Sequence, residues 1–403
     1  MNIIIIIILG CALISFKIFK VGDYFSPWFI TCVVWFTILL LFLFEDKLLY
    51  PLETQFYTCL ALWVPIFTTS GLITYYTLPT SGNADYECIR PKEIHIKLYN
   101  FLYIFAIITT PLFFIQIFKV VSQFDLNDIF YNIRVLAVYG DEDYGFLKYS
   151  YIINQVIFAV GVWAYPKIPK WQLATIVITN LLGQFALMEK SGIFFLAITT
   201  IFVLYEKKVI KVRTIAMIFF VLLLVFFVIN VLLTSDEDND GMTFIDFFAI
   251  YLLSPIVAFE RISEDLSQQF GSHTFQTIYL FLNRFGFNYE VNTRLQDFVW
   301  VPLPTNVYTI FEPFFRDFGY RGVAFFAFLY GTLSGWLYRS FRNGSMISRC
   351  IYAYIAKILI MQFYNEDFIQ NIVLSLQFMV FVTLLCLPEV TFQFPQKSSR
   401  GKY

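Results

Sequence analysis

Histidine and charged residues are scarce in this chain of 403 residues. It has two histidines, and charged residues make up only 14% of it, against 59% hydrophobic residues. Soluble globular domains are about 25% charged, so this composition excludes a soluble globular protein. The six cysteines and two histidines show no metal-ligand spacing, and we therefore predict no metal site.

Cysteine is also absent from the segments that we expect on the exported side of a membrane. Cys88 lies in a polar connection expected on the inner side, and the other five lie in apolar stretches. Because disulfides form in oxidising compartments, this distribution excludes an exported disulfide framework. The five apolar-stretch cysteines are expected to act as small apolar side chains: Cys11, Cys32, Cys59, Cys350 and Cys386.

Nucleotide-binding motifs are missing as well. The chain has no P-loop, no Gly-x-Gly-x-x-Gly motif after a strand and no repeat of about 20–50 residues. The connections expected on the inner side are too short to hold a nucleotide-binding domain. We therefore expect no cofactor, no nucleic-acid partner, and chemistry that uses neither ATP nor a nucleotide-sugar.

Apolar stretches are what the chain has in abundance. Eleven of them run along it. Most are about 15–21 residues long, which spans the hydrocarbon core of a bilayer once interfacial residues are added. The sequence therefore predicts an all-α polytopic membrane protein with eleven transmembrane helices in one domain, 1–403. The stretches are 2–16, 28–44, 56–78, 98–118, 149–165, 171–188, 191–205, 214–233, 322–338, 350–364 and 371–388.

The connections between these stretches alternate in charge. One alternate set, together with the C-terminal tail, holds 17 Lys and Arg and 6 acids, whereas the other set holds 10 Lys and Arg and 23 acids. Basic residues stay on the cytoplasmic side of membrane proteins. We therefore predict an N-terminus outside and a C-terminus in the cytoplasm, with most of the non-membrane mass on an acidic outer side.

Two connections on the outer side have features of their own. In the long segment 119–148, apolar residues from Val120 to Ile133 roughly follow helical spacing, which predicts a helix along the outer membrane interface. The shortest connection is only Glu189-Lys190, between two short apolar stretches. We expect that tight charged turn to lie below the membrane surface, in a cavity.

The second long outer segment is 234–321. It holds an apolar run at 244–262, which Ser254-Pro255 is expected to break, and an amphipathic run at 274–287. Proline and aromatic residues are frequent at 300–319. Because this apolar content argues against disorder, we predict that the segment folds back against the membrane as short helices.

Cations of the outer side are candidates for binding phosphate groups. Arginine offers a planar fork to phosphate oxygens and keeps its charge, and an unpaired arginine in an apolar run is costly. The alternative is pairing with neighbouring acids, such as Glu260 with Arg261 or Asp317 with Arg316. The outer cations considered are Arg134, Lys190, Arg261, Arg284, Arg294, Arg316 and Arg321.

The sequence also offers candidates for a general base, which must reach a substrate hydroxyl and whose pKa burial can tune. Lys357, inside an apolar stretch, is either functional or paired with a carboxylate. The acidic turn at 365–367 either closes the mouth of a cavity or is solvated. The candidate bases, which the sequence does not rank, are His273, Glu260, Asp317, Glu189 and Glu312.

Four segments together resemble the oligosaccharide repeat-unit polymerases of the Wzy type, the O-antigen polymerase family. The most specific is "TNVYTIFEPFFRDFGYRGV" at 305–323, which leads into a late apolar stretch. The others are "DYFSPWFI" at 23–30, "YLLSPIVAFERI" at 251–262 and the turn "MEKSG" at 188–192. The predicted layout of eleven helices with two long outer segments is similar to that family.

The resemblance implies a GT-C-like membrane glycosyltransferase in the bacterial inner membrane, working without a metal on the periplasmic face. Such enzymes use undecaprenyl-diphosphate-linked oligosaccharides as donor and acceptor, and a chain-length regulator protein is a possible partner. The alternatives are an O-antigen ligase and a lipid-linked glycan flippase or transporter. We predict as catalytic residues Arg316, Asp317, Glu260 and His273. We predict as diphosphate- or sugar-binding residues Arg134, Lys190, Arg261, Arg284, Arg294, Asn306 and Tyr308.

Overall fold

A computed structural model describes most of the chain. The described residues are 2–44, 49–79, 94–122, 133, 147, 149–187, 191–211, 213–215, 217, 244–263, 269–291, 296, 298–301 and 304–387. Two predicted features therefore lie outside them. The turn Glu189-Lys190 does so completely, and the interfacial helix in 119–148 does so except at residues 119–122, 133 and 147.

Helices dominate the part of the chain that the structure describes. A two-stranded antiparallel hairpin accompanies them, with β1 (Val299–Trp300) paired to β2 (Pro304–Thr305). The helices are α1 (Asn2–Ile18), α2 (Pro27–Phe44), α3 (Thr54–Thr77), α4 (Ile96–Val121), α5 (Tyr149–Ala164), α6 (Lys170–Leu187), α7 (Ser191–Glu206), α8 (Phe244–Glu260), α9 (Gln276–Asn283), α10 (Glu312–Arg342), α11 (Met346–Ile360) and α12 (Ile372–Cys386).

Ten of the eleven predicted apolar stretches coincide with helices, and the remaining stretch, 214–233, lies almost wholly outside the described residues. By length and composition, α2, α3 and α4 are each able to cross a membrane. Shorter apolar helices include α1, α5, α7 and α12. A chain built mainly from such helices is consistent with a membrane protein, because a helix satisfies its own backbone hydrogen bonds in lipid.

One prediction about α8 is wrong. The run is not broken at Ser254-Pro255, because α8 continues through Pro255 to Glu260. A proline inside a helix removes one backbone hydrogen bond, and its ring crowds the carbonyl four residues earlier, at a cost of about 3 kcal/mol. Close packing of the helix offsets that cost. Here the residues around the proline are fully packed, with Leu253, Ile256 and Phe259 each at most 1% exposed.

The close approach of α10 to α3 depends on glycine. A Cβ at Gly335 would lie 2.4 Å from the carbonyl oxygen of Gly71, and a Cβ at Gly331 would lie 2.3 Å from that of Phe67. Small residues let helix backbones come this near to each other. At its other end α10 is kinked at Gly319, whose φ of 60° and ψ of −153° favour glycine. The kink sets the first turns of α10, from Glu312, at an angle to the rest.

The connections between helices contact one another in two separate groups. In one group, Arg342 at the end of α10 pairs with Asp23 before α2 and with Glu206 at the end of α7. Lys207 donates to the carbonyl oxygens of Val162 and Trp163 at the end of α5, at 3.0 and 3.1 Å. These four connections belong to the set that the charge count assigns to the inner side.

The second group joins connections of the other set. The Glu260 carboxylate accepts the backbone N–H groups of Gln55 and Phe56 at the start of α3, at 3.0 and 2.7 Å. The N–H of Ile310 donates to the carbonyl of Gln362, which follows α11. This end of the helix bundle also carries the described part of 234–321, and the candidate site lies here.

Candidate functional site

A polar cavity of about 330 Å³ lies where three segments meet: the start of α9, residues 306–312 before and at the start of α10, and the turn between α11 and α12. Side-chain amides are its most frequent lining group. Each amide offers both a donor and an acceptor, which is the pairing that a sugar hydroxyl needs. The lining amides are Gln276, Gln296, Asn306, Asn365, Gln370 and Asn371.

Glu312, the first residue of α10, is the charged centre of one wall. Its side chain is almost wholly buried, since the residue is 1% exposed. Nε of Arg316, one turn later, donates to Oε1 at 2.6 Å, and Nε2 of Gln296 donates to Oε2 at 2.9 Å. The i, i+4 spacing places Glu312 and Arg316 on the same face of α10. An acidic residue at a helix N-terminus is also favoured by the helix dipole.

The pKa of the Glu312 carboxyl reflects two opposing influences. Burial raises it above the ordinary value of a glutamate, because a charged carboxylate loses its hydration. The positive charge of Arg316 lowers it in part, as does His273. A carboxylate with a raised pKa is a stronger proton acceptor than an exposed one, which suits general-base chemistry.

Three of the sequence-predicted residues come together at this wall. Asn306 and Tyr308 line the cavity. The guanidinium of Arg316 lies 5.6 Å from the centre of the Tyr308 ring, within cation–π range. The alternative that Arg316 pairs with Asp317 is wrong, because Glu312 is its carboxylate partner.

Asp317 and His273 are tied to each other through the backbone. The carboxylate of Asp317 accepts the N–H of His273 at 3.2 Å and the N–H of Thr274 at 2.7 Å. Nε2 of Gln370, a cavity residue, donates to the carbonyl of His273 at 3.4 Å. Asp317 therefore holds the segment before α9 against α10, which places that segment at the cavity.

A second buried carboxylate, Glu366, lies in the turn between α11 and α12 and also lines the cavity. It is 2% exposed, so the solvated reading of this turn is wrong. It accepts the N–H groups of Phe368, Ile369 and Gln370 at 2.9, 2.9 and 2.6 Å, and the hydroxyl of Tyr330. Burial raises the pKa of Glu366, and the backbone donors lower it in part.

An ion pair and a side-chain amide hold the turn between α11 and α12 in place. Lys357 of α11 pairs with Asp367, as one of the two sequence interpretations predicted. The indole nitrogens of Trp35 and Trp63 donate to Oε1 of Gln362 at 3.1 and 3.2 Å. These contacts from α2, α3 and α11 fix the polar turn inside the bundle.

Other predicted site residues lie away from the cavity. Glu260 is held by α3, and the Arg261 guanidinium lies 4.1 Å from the centre of the Tyr50 ring. Arg284, next to the end of α9, is exposed. Arg134, Lys190 and Arg294 lie outside the described residues. Of the predicted cations that are described, Arg316 is the one that contacts a cavity residue.

Sequence reasoning missed several cavity residues. Gln276, Gln296, Gln370, Asn371 and Tyr364 were not singled out, because a lone amide or tyrosine in a loop carries no motif. A signal was present in the run at 364–371, where five polar residues interrupt a strongly apolar region. Buried polar groups need partners, so such a run between two apolar helices indicates a polar interior site.

Comparison with known proteins gives a partial similarity. A segment of 136 residues is 30% identical to a protein of Escherichia coli (strain K12) named "Putative O-antigen polymerase". The match spans a third of each protein, 33% of this chain and 33% of the E. coli protein. No family model matches the chain, and no solved structure matches it. The chain is thus weakly and partially linked to the O-antigen polymerases.

Proposed function

We propose that this protein acts in O-antigen biosynthesis as a membrane glycosyltransferase that polymerises lipid-diphosphate-linked oligosaccharide repeat units. The observation that carries the proposal is the buried carboxylate of Glu312, which lines an amide-rich cavity and pairs with Arg316. It lies in the segment 305–323 that most resembles the polymerases. The partial identity to the E. coli protein supports the same assignment.

The proposal includes the predicted topology of eleven spans, a periplasmic N-terminus and a cytoplasmic C-terminus. The grouping of connections supports it, since Arg342, Asp23 and Glu206 meet at one end and Glu260 and Gln55 at the other. Alternate connections of a chain that crosses back and forth must meet in this way. In that topology the cavity opens on the periplasmic side of the inner membrane, where lipid-linked glycans are polymerised.

In the proposed reaction, a hydroxyl of the acceptor sugar attacks the anomeric carbon of the donor glycan. As the new carbon–oxygen bond forms, the proton of the hydroxyl passes to the Glu312 carboxylate. The bond from the anomeric carbon to the lipid diphosphate breaks, and its electron pair leaves with the diphosphate. Arg316 orients the carboxylate, and the cavity amides hold the sugar hydroxyls. The energy of this transfer comes from the diphosphate bond, which removes the need for ATP.

Donor binding requires cations, because the leaving diphosphate gains charge as the bond breaks. We assign this role to Arg316 together with members of the predicted outer set, which are Arg134, Lys190, Arg261, Arg284 and Arg294. In this proposal, Asp317 and His273 position the segment before α9, and Glu260 anchors α8 to α3. The substrates are undecaprenyl-diphosphate-linked oligosaccharides, a chain-length regulator is a partner, and the reaction uses no metal.

A reconstitution assay tests the proposal. Purified protein in vesicles receives one synthetic polyprenyl-diphosphate repeat unit, and products are separated by length. A ladder of products supports a polymerase. Growth only after addition of a lipid A core acceptor would indicate a ligase instead. Movement of the lipid between leaflets without any product would indicate a transporter, and either result would overturn the proposed activity.

A further inference from the structure

An apolar groove of about 230 Å³ runs along one face of α11, between α10 and α12. Its floor is a row of isoleucines at helical spacing: Ile347, Ile351, Ile355 and Ile358. The first and last of them are 11 residues apart, which corresponds to about 16 Å along a helix. That is about half of the thickness of a bilayer's hydrocarbon core.

The walls of the groove are apolar as well. Leu333 and Trp336 of α10 form one wall, and Met379 of α12 belongs to the other. Apolar surfaces gain dispersion contacts when an apolar chain packs against them. An apolar chain lying in the groove would make those contacts.

The groove ends beside the polar cavity. Tyr330 and Phe368 line the groove, and both donate hydrogen bonds to Glu366, Tyr330 from its hydroxyl and Phe368 from its backbone N–H. Glu366 in turn lines the cavity. One layer of side chains thus separates an apolar groove from a cavity lined by amides and carboxylates.

We propose that the groove binds the polyprenyl tail of a lipid-diphosphate glycan whose sugar portion enters the polar cavity. The inference rests on the proposed function and assigns the place of the tail. The adjacency of the groove and the cavity favours this occupant over a bulk phospholipid, because the cavity is lined by groups that pair with hydroxyls. A phospholipid chain in the groove would leave those amides unused.

A binding experiment tests the site without requiring turnover. The full-length protein in phosphatidylethanolamine and phosphatidylglycerol vesicles is photolabelled with a polyprenyl diphosphate that carries a diazirine in the isoprene units next to the diphosphate. Labelled peptides are expected from α10, α11 and α12, with label suppressed by unlabelled polyprenyl diphosphate and not by extra phosphatidylglycerol. Label elsewhere, or equal suppression by both lipids, would overturn the proposal.

A kinetic experiment uses variants that fill the groove from either wall, Leu333→Trp and Met379→Trp. The matched control is Leu376→Trp on α12, at a position that is 52% exposed and outside the groove lining. Each variant is tested with a long polyprenyl donor and with a dimethylallyl analogue, whose single isoprene unit is too short to lie along the groove. For the long donor we expect KM to rise at least about tenfold, since losing the burial of two methylene groups is already worth that much. For the dimethylallyl analogue and for the control variant we expect KM near that of the unmodified protein.

The outcomes separate this proposal from the proposed function. If the unmodified protein turns over neither donor, the glycosyltransferase assignment fails, and photolabelling still decides whether the tail lies in the groove. If it turns over both donors and the two groove variants keep the preference for the long one, the tail site is wrong and the enzyme assignment stands. Misfolding of one variant is recognised by its loss of activity on the dimethylallyl analogue, and the other variant then decides.

Discussion

Arg316 donates from Nε to Oε1 of Glu312 at 2.6 Å, and Glu312 lines the polar cavity. The carboxylate is buried, and its second oxygen accepts from the amide of Gln296. A buried acid held on both oxygens has a defined orientation, which a proton acceptor requires. The first three predictions concern Glu312 and Arg316.

Replacing Glu312 by Gln should remove the proton acceptor while keeping the shape of the side chain. We expect turnover to fall about 10²- to 10⁴-fold, the usual contribution of general-base catalysis. The measurement is the initial rate of polymer formation in vesicles at equal protein levels. Glu290→Gln is the matched control, because Glu290 is exposed on the same outer segment. A Glu312→Gln variant that makes normal ladders would exclude Glu312 as the base.

Replacing Arg316 tests the cation of the same wall. Arg316→Ala should cost about 10²- to 10³-fold in turnover, as for other pre-placed groups that stabilise developing charge. Arg316→Lys should also impair turnover, because a point charge does not reproduce the planar fork. Arg213→Ala, at an exposed position, is the control and should keep normal turnover. Equal activity of the Arg316 and Arg213 variants would show that Arg316 is a structural ion-pair partner.

The pH dependence follows from the raised pKa of Glu312. A base acts in its deprotonated form, so kcat/KM should fall as pH drops through that raised pKa. Arg316 lowers the pKa of Glu312 in part, and Arg316→Ala should therefore move the acidic limb to higher pH. Arg316→Lys keeps a positive charge and should leave the limb closer to its original position. Rate profiles of the three proteins check this order, and an unmoved limb in Arg316→Ala would contradict it.

The buried pair of Lys357 and Asp367 should matter for stability. Removing one partner of a buried pair leaves an uncompensated charge and typically costs about 3–5 kcal/mol. Lys357→Met should therefore lower the thermal unfolding temperature in detergent more than the double variant Lys357→Met/Asp367→Asn does. A double variant less stable than Lys357→Met would show that the two residues are not coupled in this way.

The predicted topology has a direct test. A reporter fused after residue 403 should be active when it is an enzyme that works only in the cytoplasm. A fused enzyme that works only in the periplasm should be inactive there, because the basic connections and the tail are predicted to stay inside. The reverse result would overturn the orientation and would move the cavity to the other side of the membrane.

The sequence predicted the helices well because a single local property determines them. An apolar run long enough for a bilayer forms a helix wherever it occurs, and ten of the eleven predicted runs coincide with helices. The run at 244–262 was assigned a break at Pro255 that it lacks, since packing around Leu253 and Phe259 outweighs one missing donor. The resemblance of the segment 305–323 to the O-antigen polymerases was likewise read from its own residues.

The partners of the charged residues followed only from the tertiary structure. Nearest neighbours in sequence suggested Asp317 for Arg316, but the helix places Glu312, one turn away, on the same face. Lys357 had two open interpretations until the fold brought Asp367 beside it. The sequence left open whether the turn at Glu366 is solvated or closes a cavity. The burial of Glu366 decides this, and that burial comes from neighbouring helices.

The sequence by itself determined that this is a helical chain rich in membrane-length apolar runs, with an acidic and a basic set of connections. Both properties are sums over local residues and need no knowledge of contacts. The cavity was decided by the tertiary structure alone, because Gln276, Asn306, Glu312 and Glu366 come from segments up to 90 residues apart. Only the packing of α9, α10 and the turn after α11 brings their polar groups around one space, where burial gives them their chemistry.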